Sequence, residues 1–379
     1  MRQPGAACQN LQREQDHHAQ QLPPPRHLPP QPQPFWRSEA LAAGLTRHEL
    51  AGLARRGDVT RLHRGLYAVA PAWERTSPWD RHESLAHAAA RGVPGAVASH
   101  VSAAVLWGLP TPWRPPRLVH LTLFGEPPTP PPLRTSRAQD WFRLHRGDVE
   151  AAHVTEHRGI RLTAPARSVV DCLRQLWLPD GVAIGDAALR RELVEPHELR
   201  AMRLEQRRWQ QVTRVDAALP LLDPRRENWL ESASAVLLHG SGVPLPIPQV
   251  EVFDEWGQFL ARVDAYWPHA GVVGEADGRG KYLDDETGGD LPVRDVATRV
   301  VASAARESRL RDVGLEVFRW EPHEVVHTPD AVARRFHAAS RRADPSRVQA
   351  GLRCSCCRAA LTQCEFDRVL AAIRGAAAA

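Results

Sequence analysis

Between Trp36 and Pro71 the apolar positions follow two rhythms. SEALAAGL (residues 38–45) has helical spacing. Thr46 then starts a second helix with Glu49 three residues on, a T-x-x-E capping box, and Gly57 ends it after LARR. In DVTRLHRGLYAVAP the period drops to two, with Val59, Arg61 and His63 against Thr60, Leu62 and Arg64, before Gly65 turns into LYAV. Helix, turn, helix and a two-stranded wing make the plan of a winged helix-turn-helix, whose second helix can enter a major groove while the wing meets phosphates. Arg47, His48, Arg55, Arg56, Arg61 and Arg64 are its candidate DNA contacts. On charge alone, an arginine-rich solvated face of a small capping module explains them equally well.

Further along, ENWLESASAVLLHG predicts a helix from about Asn228 to His239 ended by Gly240. QVEVFDEWGQFLARVDAYW predicts two strands around a turn at Glu255–Gln258, and VVGEAD predicts a third. The four-residue loop Pro268–Gly271 sets a hairpin register with Trp267 against Val272, and counting back puts Asp264 opposite Glu275. Period two adds Asp277 to the face of Glu275. Like charges across a ladder repel, and a divalent cation removes that penalty. Mg²⁺, or Mn²⁺ in its place, suits such oxygen ligands and the hydrolysis of phosphodiesters. Asp264, Glu275 and Asp277 are therefore candidate catalytic residues, with Asp264 and Glu275 as metal ligands. Lys281, the only lysine among 49 Lys+Arg, stands just beyond them, where it could activate water or neutralise phosphate charge. The plain alternative for Lys281 is a surface residue at a strand end.

Composition narrows the classes. The chain has 379 residues, enough for two or three domains, and a net charge of +5, a mild bias toward an anionic partner. The first twenty residues contain no apolar stretch typical of a secretory leader, and no run approaches the roughly 18 apolar residues of a membrane span, so a cytoplasmic location away from membranes is expected. Four of the six cysteines, Cys354, Cys356, Cys357 and Cys364, crowd into RCSCCRAALTQC. Their spacing fits no common paired C-x2-C zinc arrangement, so zinc is not expected there. Residues 1–34 are a Gln/Pro-rich segment expected to be disordered, GEPPTPPPLRT (125–135) reads as a long loop, and PLLDPRR (220–226) reads as a break. His100 and Trp107 read as packing residues and Asp171 as a hydrogen-bonded structural aspartate.

Two resemblances extend this reading. GLTRHELAGLARRGDVTRLHRGLYAV is similar to the N-terminal winged-helix module of AbiEi-type antitoxins of type IV toxin–antitoxin systems. SHVSAAVLWGL, VHLTL and GIRLTAPARSVVDCLR resemble the middle segment of the same proteins. That likeness covers roughly residues 36–200 and implies binding to double-stranded DNA at a promoter, with a toxin partner that one chain does not identify. RVDAYWP, VVGEADGRGKY, a helix at 293–313 and the strand LEVFRW resemble the PD-(D/E)xK nuclease fold, closest to the group related to very-short-patch-repair endonucleases. It implies metal-ligand roles for Asp264 and Glu275 and a water-mediated one for Glu231. The family motif has lysine two residues after the glutamate, where this chain has Asp277.

The expected architecture is thus an α/β multi-domain chain. It comprises a winged helix-turn-helix at 36–72, an α+β middle domain at 80–215, a restriction-endonuclease-like α/β domain at 225–340 and an Arg/Cys/Ala-rich tail at 341–379. Two functions compete: a Mg-dependent DNA endonuclease delivered by the winged helix, and a non-enzymatic, antitoxin-like transcriptional regulator whose nuclease-like fold is weak or inactive in catalysis. A purely structural or protein-interaction role ranks last.

Overall fold

The computed structural model describes residues 34–123, 141–145, 150–276 and 293–361. The Gln/Pro-rich segment up to residue 33, the proline loop at 125–135, Asp277, Lys281 and Cys364 lie outside the described residues. The chain begins β1 (Phe35–Trp36), α1 (Arg37–Ala42), α2 (Arg47–Arg56), β2 (Val59–His63), β3 (Leu66–Val69), α3 (Ala70–Arg75) and α4 (Pro78–Gly92). It continues with β4 (Ala96–Ala98), α5 (His100–Leu106), β5 (Val119–Leu123), β6 (Phe142–His145), β7 (Val154–His157), β8 (Ile160–Thr163), α6 (Pro165–Gln175), α7 (Leu178–Arg190), α8 (Pro196–Glu205) and α9 (Thr213–Ala218). The remainder is α10 (Trp229–Gly240), β9 (Ile247–Phe253), β10 (Phe259–Trp267), β11 (Val272–Ala276), α11 (Val293–Asp312), β12 (Glu316–Trp320), α12 (Pro322–His327), α13 (Pro329–Arg342) and β13 (Gly351–Cys354). This is a mixed α/β chain of two compact units, residues 1–96 with 116–147, and residues 97–115 with 148–379.

In the first unit, β1, β3 and β2 form an antiparallel sheet in that order. Thr46 caps α2 as its sequence indicates: the hydroxyl accepts the Glu49 N–H at 3.2 Å, and the Glu49 carboxylate accepts the Thr46 N–H at 2.8 Å. Gly57 ends the helix at φ 81°, a left-handed conformation that suits glycine. Leu50 and Leu53 of α2 bury against Phe35, Ala40, Leu45, Val59 and Val69, so the helical and strand rhythms of the sequence converge on one small core. Behind it, the Trp36 ring donates to the Ala88 carbonyl of α4 at 2.7 Å. No local pattern around Trp36 signals this strut, whose two ends are 52 residues apart.

The second unit runs through the break expected near 220–226. Its helical part, α5–α10, packs around Val169, Val170, Leu173, Ile184, Leu199 and Leu222. Within it Asp171 is fully buried and accepts from Arg167 at 2.8 Å, Arg174 at 2.9 Å and Gln206 at 3.1 Å. Burial opposes ionisation, but His100, Arg167 and Arg174 outweigh it and hold the Asp171 carboxyl below its ordinary range. Both arginines also stack on the Trp209 ring. These are the bonds of a structural aspartate.

The same unit carries a five-stranded sheet in the order β12-β11-β10-β9-β13. One face, with Ala265, Trp267, Val272, Phe318 and Trp320, packs against residues of α10, α12 and α13. The other, with Val250, Val263, Tyr266, Val273 and Val317, packs on Leu310 of α11. β11 and β12 are parallel, which places α11 as the crossover between them. The segment from 341, read from sequence as a tail, supplies β13, which pairs antiparallel with β9 from Gly351↔Phe253 to Cys354↔Val250.

Candidate functional site

All six cationic candidates of the first unit, Arg47, His48, Arg55, Arg56, Arg61 and Arg64, are exposed. The amphipathic spacing of α2 produces this, because Leu50 and Leu53 take its inner side. Arg55 and Arg56 fall in the last turn, where the helix dipole favours positive charge. Arg56 is partly engaged by Asp58 at 2.9 Å, and the Arg61 Nε donates to the His63 carbonyl at 3.3 Å. The His63 ring stacks on Trp141, with centroids 4.7 Å apart, and steadies the hairpin. Two exposed cationic clusters result, one on a helix and one on a hairpin.

The second candidate site lies where β9 and β10 depart from regularity. The hairpin register is as the loop length indicates, with Trp267↔Val272, Tyr266↔Val273 and Ala265↔Gly274 paired. Strict alternation nevertheless fails. Val263 packs toward α11 while Ala265, two residues on, packs toward α10, so the strand changes faces at Asp264. Gln249 is the partner irregularity on β9: it is 2 % exposed and has φ 53°, a left-handed conformation that costs a non-glycine residue about 1–2 kcal/mol. Backbone strain of this kind tends to gather at functional positions.

The kink opens a recess bordered by Glu231, Asp264, Arg226, Pro248, Trp267 and Trp320. Asp264 accepts the Ala276 N–H at 2.9 Å. Glu231, in the first turn of α10 and 7 % exposed, accepts the Glu227 N–H and the Gln249 side-chain amide, each at 2.9 Å. Burial pushes the Glu231 carboxyl up to about 7, hydrogen bonds from Glu227 and Gln249 oppose this, and the charges of Asp264 and Glu227 add to the rise. The buried Gln249 Oε1 finds no hydrogen-bond partner among the described residues. Two carboxylates, Glu231 and Asp264, therefore border one recess, oxygen donors of the kind a hard cation takes.

Glu275 does not join them. It is 3 % exposed and forms ion pairs with Arg306 of α11 at 2.5 Å and Arg319 of β12 at 3.2 Å. The expectation that Asp264 and Glu275 share a face rested on unbroken alternation, and the switch at Asp264 removes that premise: Asp264 opens toward α10, while Glu275 meets the α11 side. Their neighbours explain the difference, since two guanidinium groups compensate the Glu275 charge as a metal would. Glu231, Asp264 and Glu275 form no three-ligand cluster among the described residues. The sequence reading missed Gln249, Arg306 and Arg319. Gln249 carries no local signal, because nothing in IPQVEVF marks a left-handed residue.

At the end of β13, Cys354, Cys356 and Cys357 bring their sulfurs within 4.8 Å of one another. No described helix is long and apolar enough to cross a membrane.

Comparison with known proteins bears on the first of these sites. A family model described as a transcriptional regulator, AbiEi antitoxin, matches residues 31–70, the stretch that holds β1, α1, α2, β2 and β3. Two uncharacterized proteins, from two strains of Mycobacterium tuberculosis, are each 32 % identical to the chain over 131 residues. The match covers 33 % of this chain and 48 % of each relative, so the chain spans about half the length of the curated relatives it matches. Residues 31–70 are thus similar to an AbiEi-antitoxin-type transcriptional regulator domain.

Proposed function

We propose that the protein is a DNA-binding transcriptional regulator of the antitoxin-like kind. Its first unit acts as a winged helix-turn-helix, α2 is the groove-reading helix, and the β2–β3 hairpin is the wing. The observation that carries this reading is the agreement between the matched family stretch and the two exposed cationic clusters, Arg47, His48, Arg55 and Arg56 on α2 and Arg61 and Arg64 on the hairpin. Arginines at the helix end and on the wing engage phosphates, and residues nearer the N-terminus of α2 face base edges. A toxin of the type IV class belongs to this reading as a protein partner. The test is footprinting on the DNA upstream of its own gene. Protection there, abolished by a double Arg55→Ala and Arg56→Ala change in a folded protein, is the expected result. Equal binding by that variant would overturn the reading.

A second reading gives the C-terminal α/β part the PD-(D/E)xK nuclease fold and a Mg²⁺- or Mn²⁺-dependent phosphodiester hydrolase activity. What supports it is the recess: Asp264 and Glu231, which border it, would hold the ion, which when bound would polarise the scissile phosphate. Asp277 and Lys281 retain their proposed catalytic roles in this reading. Glu275 does not fit as a metal ligand with Arg306 and Arg319 on it, and its arginines are better suited to anchoring a phosphate. That arrangement favours a domain that binds DNA over one that cuts it. Nicking of plasmid DNA with Mn²⁺ that disappears in Asp264→Ala would establish the nuclease; cutting undiminished in that variant would remove it.

A further inference from the structure

We propose that the open face of the sheet formed by β13, β9 and β10 binds single-stranded nucleic acid, stacking unpaired bases on Phe253, Trp256 and Phe259. The three strands turn one side inward, where Val250, Val252, Ala261 and Val263 are buried and Leu352 packs against them. Period two sends the intervening residues to the other side. Pairing sets these in two cross-strand rows, Gly351–Phe253–Phe259 and Arg353–Glu251–Arg262. Among the described residues this side is open along both rows: Phe259, Arg262, Gly351 and Arg353 are exposed, and Glu251 and Phe253 are half-buried. Asp264 lies two residues beyond Arg262 on β10, so the rows border the recess.

The turn between β9 and β10 adds Trp256, 77 % exposed, close in sequence to Phe259 at 55 %. Large aromatic rings are normally buried, so two of them left in water at one hairpin end mark a binding surface. Phe253 and Phe259 meet edge to face with centroids 5.7 Å apart. The Arg353 guanidinium lies over the Phe253 ring, 4.8 Å from its centroid, so a flat, electron-poor group already stacks where a base would. The acids beside the rings are largely engaged. Asp254 accepts the Trp256 and Gln258 N–H groups at 3.0 and 2.8 Å, and Glu227 holds Arg262 through bonds of 2.9 and 3.0 Å. Glu251 stands between the two arginines in register. Arg353 has no ion-pair partner among the described residues, which leaves its charge for a phosphate. Rings of this kind take bases whose faces are free, and in a duplex those faces are already stacked on one another; the occupant is therefore a single strand.

The test uses the full chain and fluorescein-labelled oligothymidylate and oligouridylate of about twelve nucleotides, followed by anisotropy without divalent metal. Saturable binding is expected, and the ratio of the two affinities tells DNA from RNA as the preferred strand. The double variant W256A with F259A changes only exposed side chains, so it should keep the wild-type unfolding midpoint. Its affinity for the single strand should fall on the order of a hundredfold, about tenfold per ring. R353A should weaken binding and lower its salt dependence. The double variant Arg55→Ala with Arg56→Ala, which alters α2, should still bind the oligonucleotide. No binding by wild type, undiminished binding by W256A with F259A, or binding lost in the α2 variant instead would each overturn the proposal. So would self-association of the wild-type chain that W256A with F259A abolishes while oligonucleotide binding stays unchanged, since the rings would then serve a second copy.

Discussion

Replacing Glu231 with glutamine should change how stability depends on pH. In the folded chain the carboxyl titrates near 7 rather than at 4.5, because α10 and the β9–β10 kink bury it beside Asp264. Between those two pH values the folded state keeps a proton that the unfolded chain has released. The stabilisation is therefore fully present below pH 4.5 and is lost as pH rises through 7. At 1.36 kcal/mol per pH unit, a rise from 4.5 to about 7 corresponds to about 3 kcal/mol across that window. Glutamine has no such titration. Plotted as wild type minus Glu231→Gln, unfolding free energy should fall by about 3 kcal/mol from pH 4.5 to 8, steepest between 5 and 7. Urea unfolding at half-unit steps, followed through tryptophan fluorescence, gives the comparison, and titrations common to both proteins cancel in the difference. A flat difference across the window would refute the burial argument for Glu231.

Three further outcomes follow from the same geometry. Titrating the protein with Mg²⁺ or Mn²⁺ at pH 6.5 in weak buffer should release protons from wild type, because an ion beside Glu231 favours its charged form, and should release none from Glu231→Gln. For DNA, each phosphate contact removed by Arg61→Ala or Arg64→Ala should reduce the slope of log affinity against log salt by about one, measured by fluorescence anisotropy. Asp171→Asn strands the buried Arg167 and Arg174 without their counter-charge and should cost about 3–5 kcal/mol of stability in chemical denaturation.

Local chemistry made several elements legible in advance. The Thr46–Glu49 box, Gly57 and the period-two run after it fix α2 and the hairpin by interactions within a few residues of each other. The length of Pro268–Gly271 set the register of β10 against β11 for the same reason. What stayed hidden depends on partners distant in sequence. Trp36 finds α4 52 residues away, and β13 finds β9 about a hundred residues upstream. The carboxylate site was half visible: Asp264 and Glu231 could be named from their pattern, but extrapolating alternation through Asp264 failed because Gln249, on the neighbouring strand, takes a left-handed conformation. Glu275 looked like a metal ligand for want of any sequence signal joining it to Arg306 and Arg319, which come 31 and 44 residues later.

The outer position of β13 carries one more consequence. β9 is an apolar strand, IPQVEVF, and β13 is the cover along its outward edge between Val250 and Phe253. A chain cut after Val348 would present that row of amide and carbonyl groups to solvent. Exposed apolar edges recruit other strands, so such a shortened protein should self-associate in a concentration-dependent way even though the rest of its sheet is intact. The short strand beside the cysteines thus acts as a guard against aggregation, and any expression strategy that trims the C-terminal region would remove it.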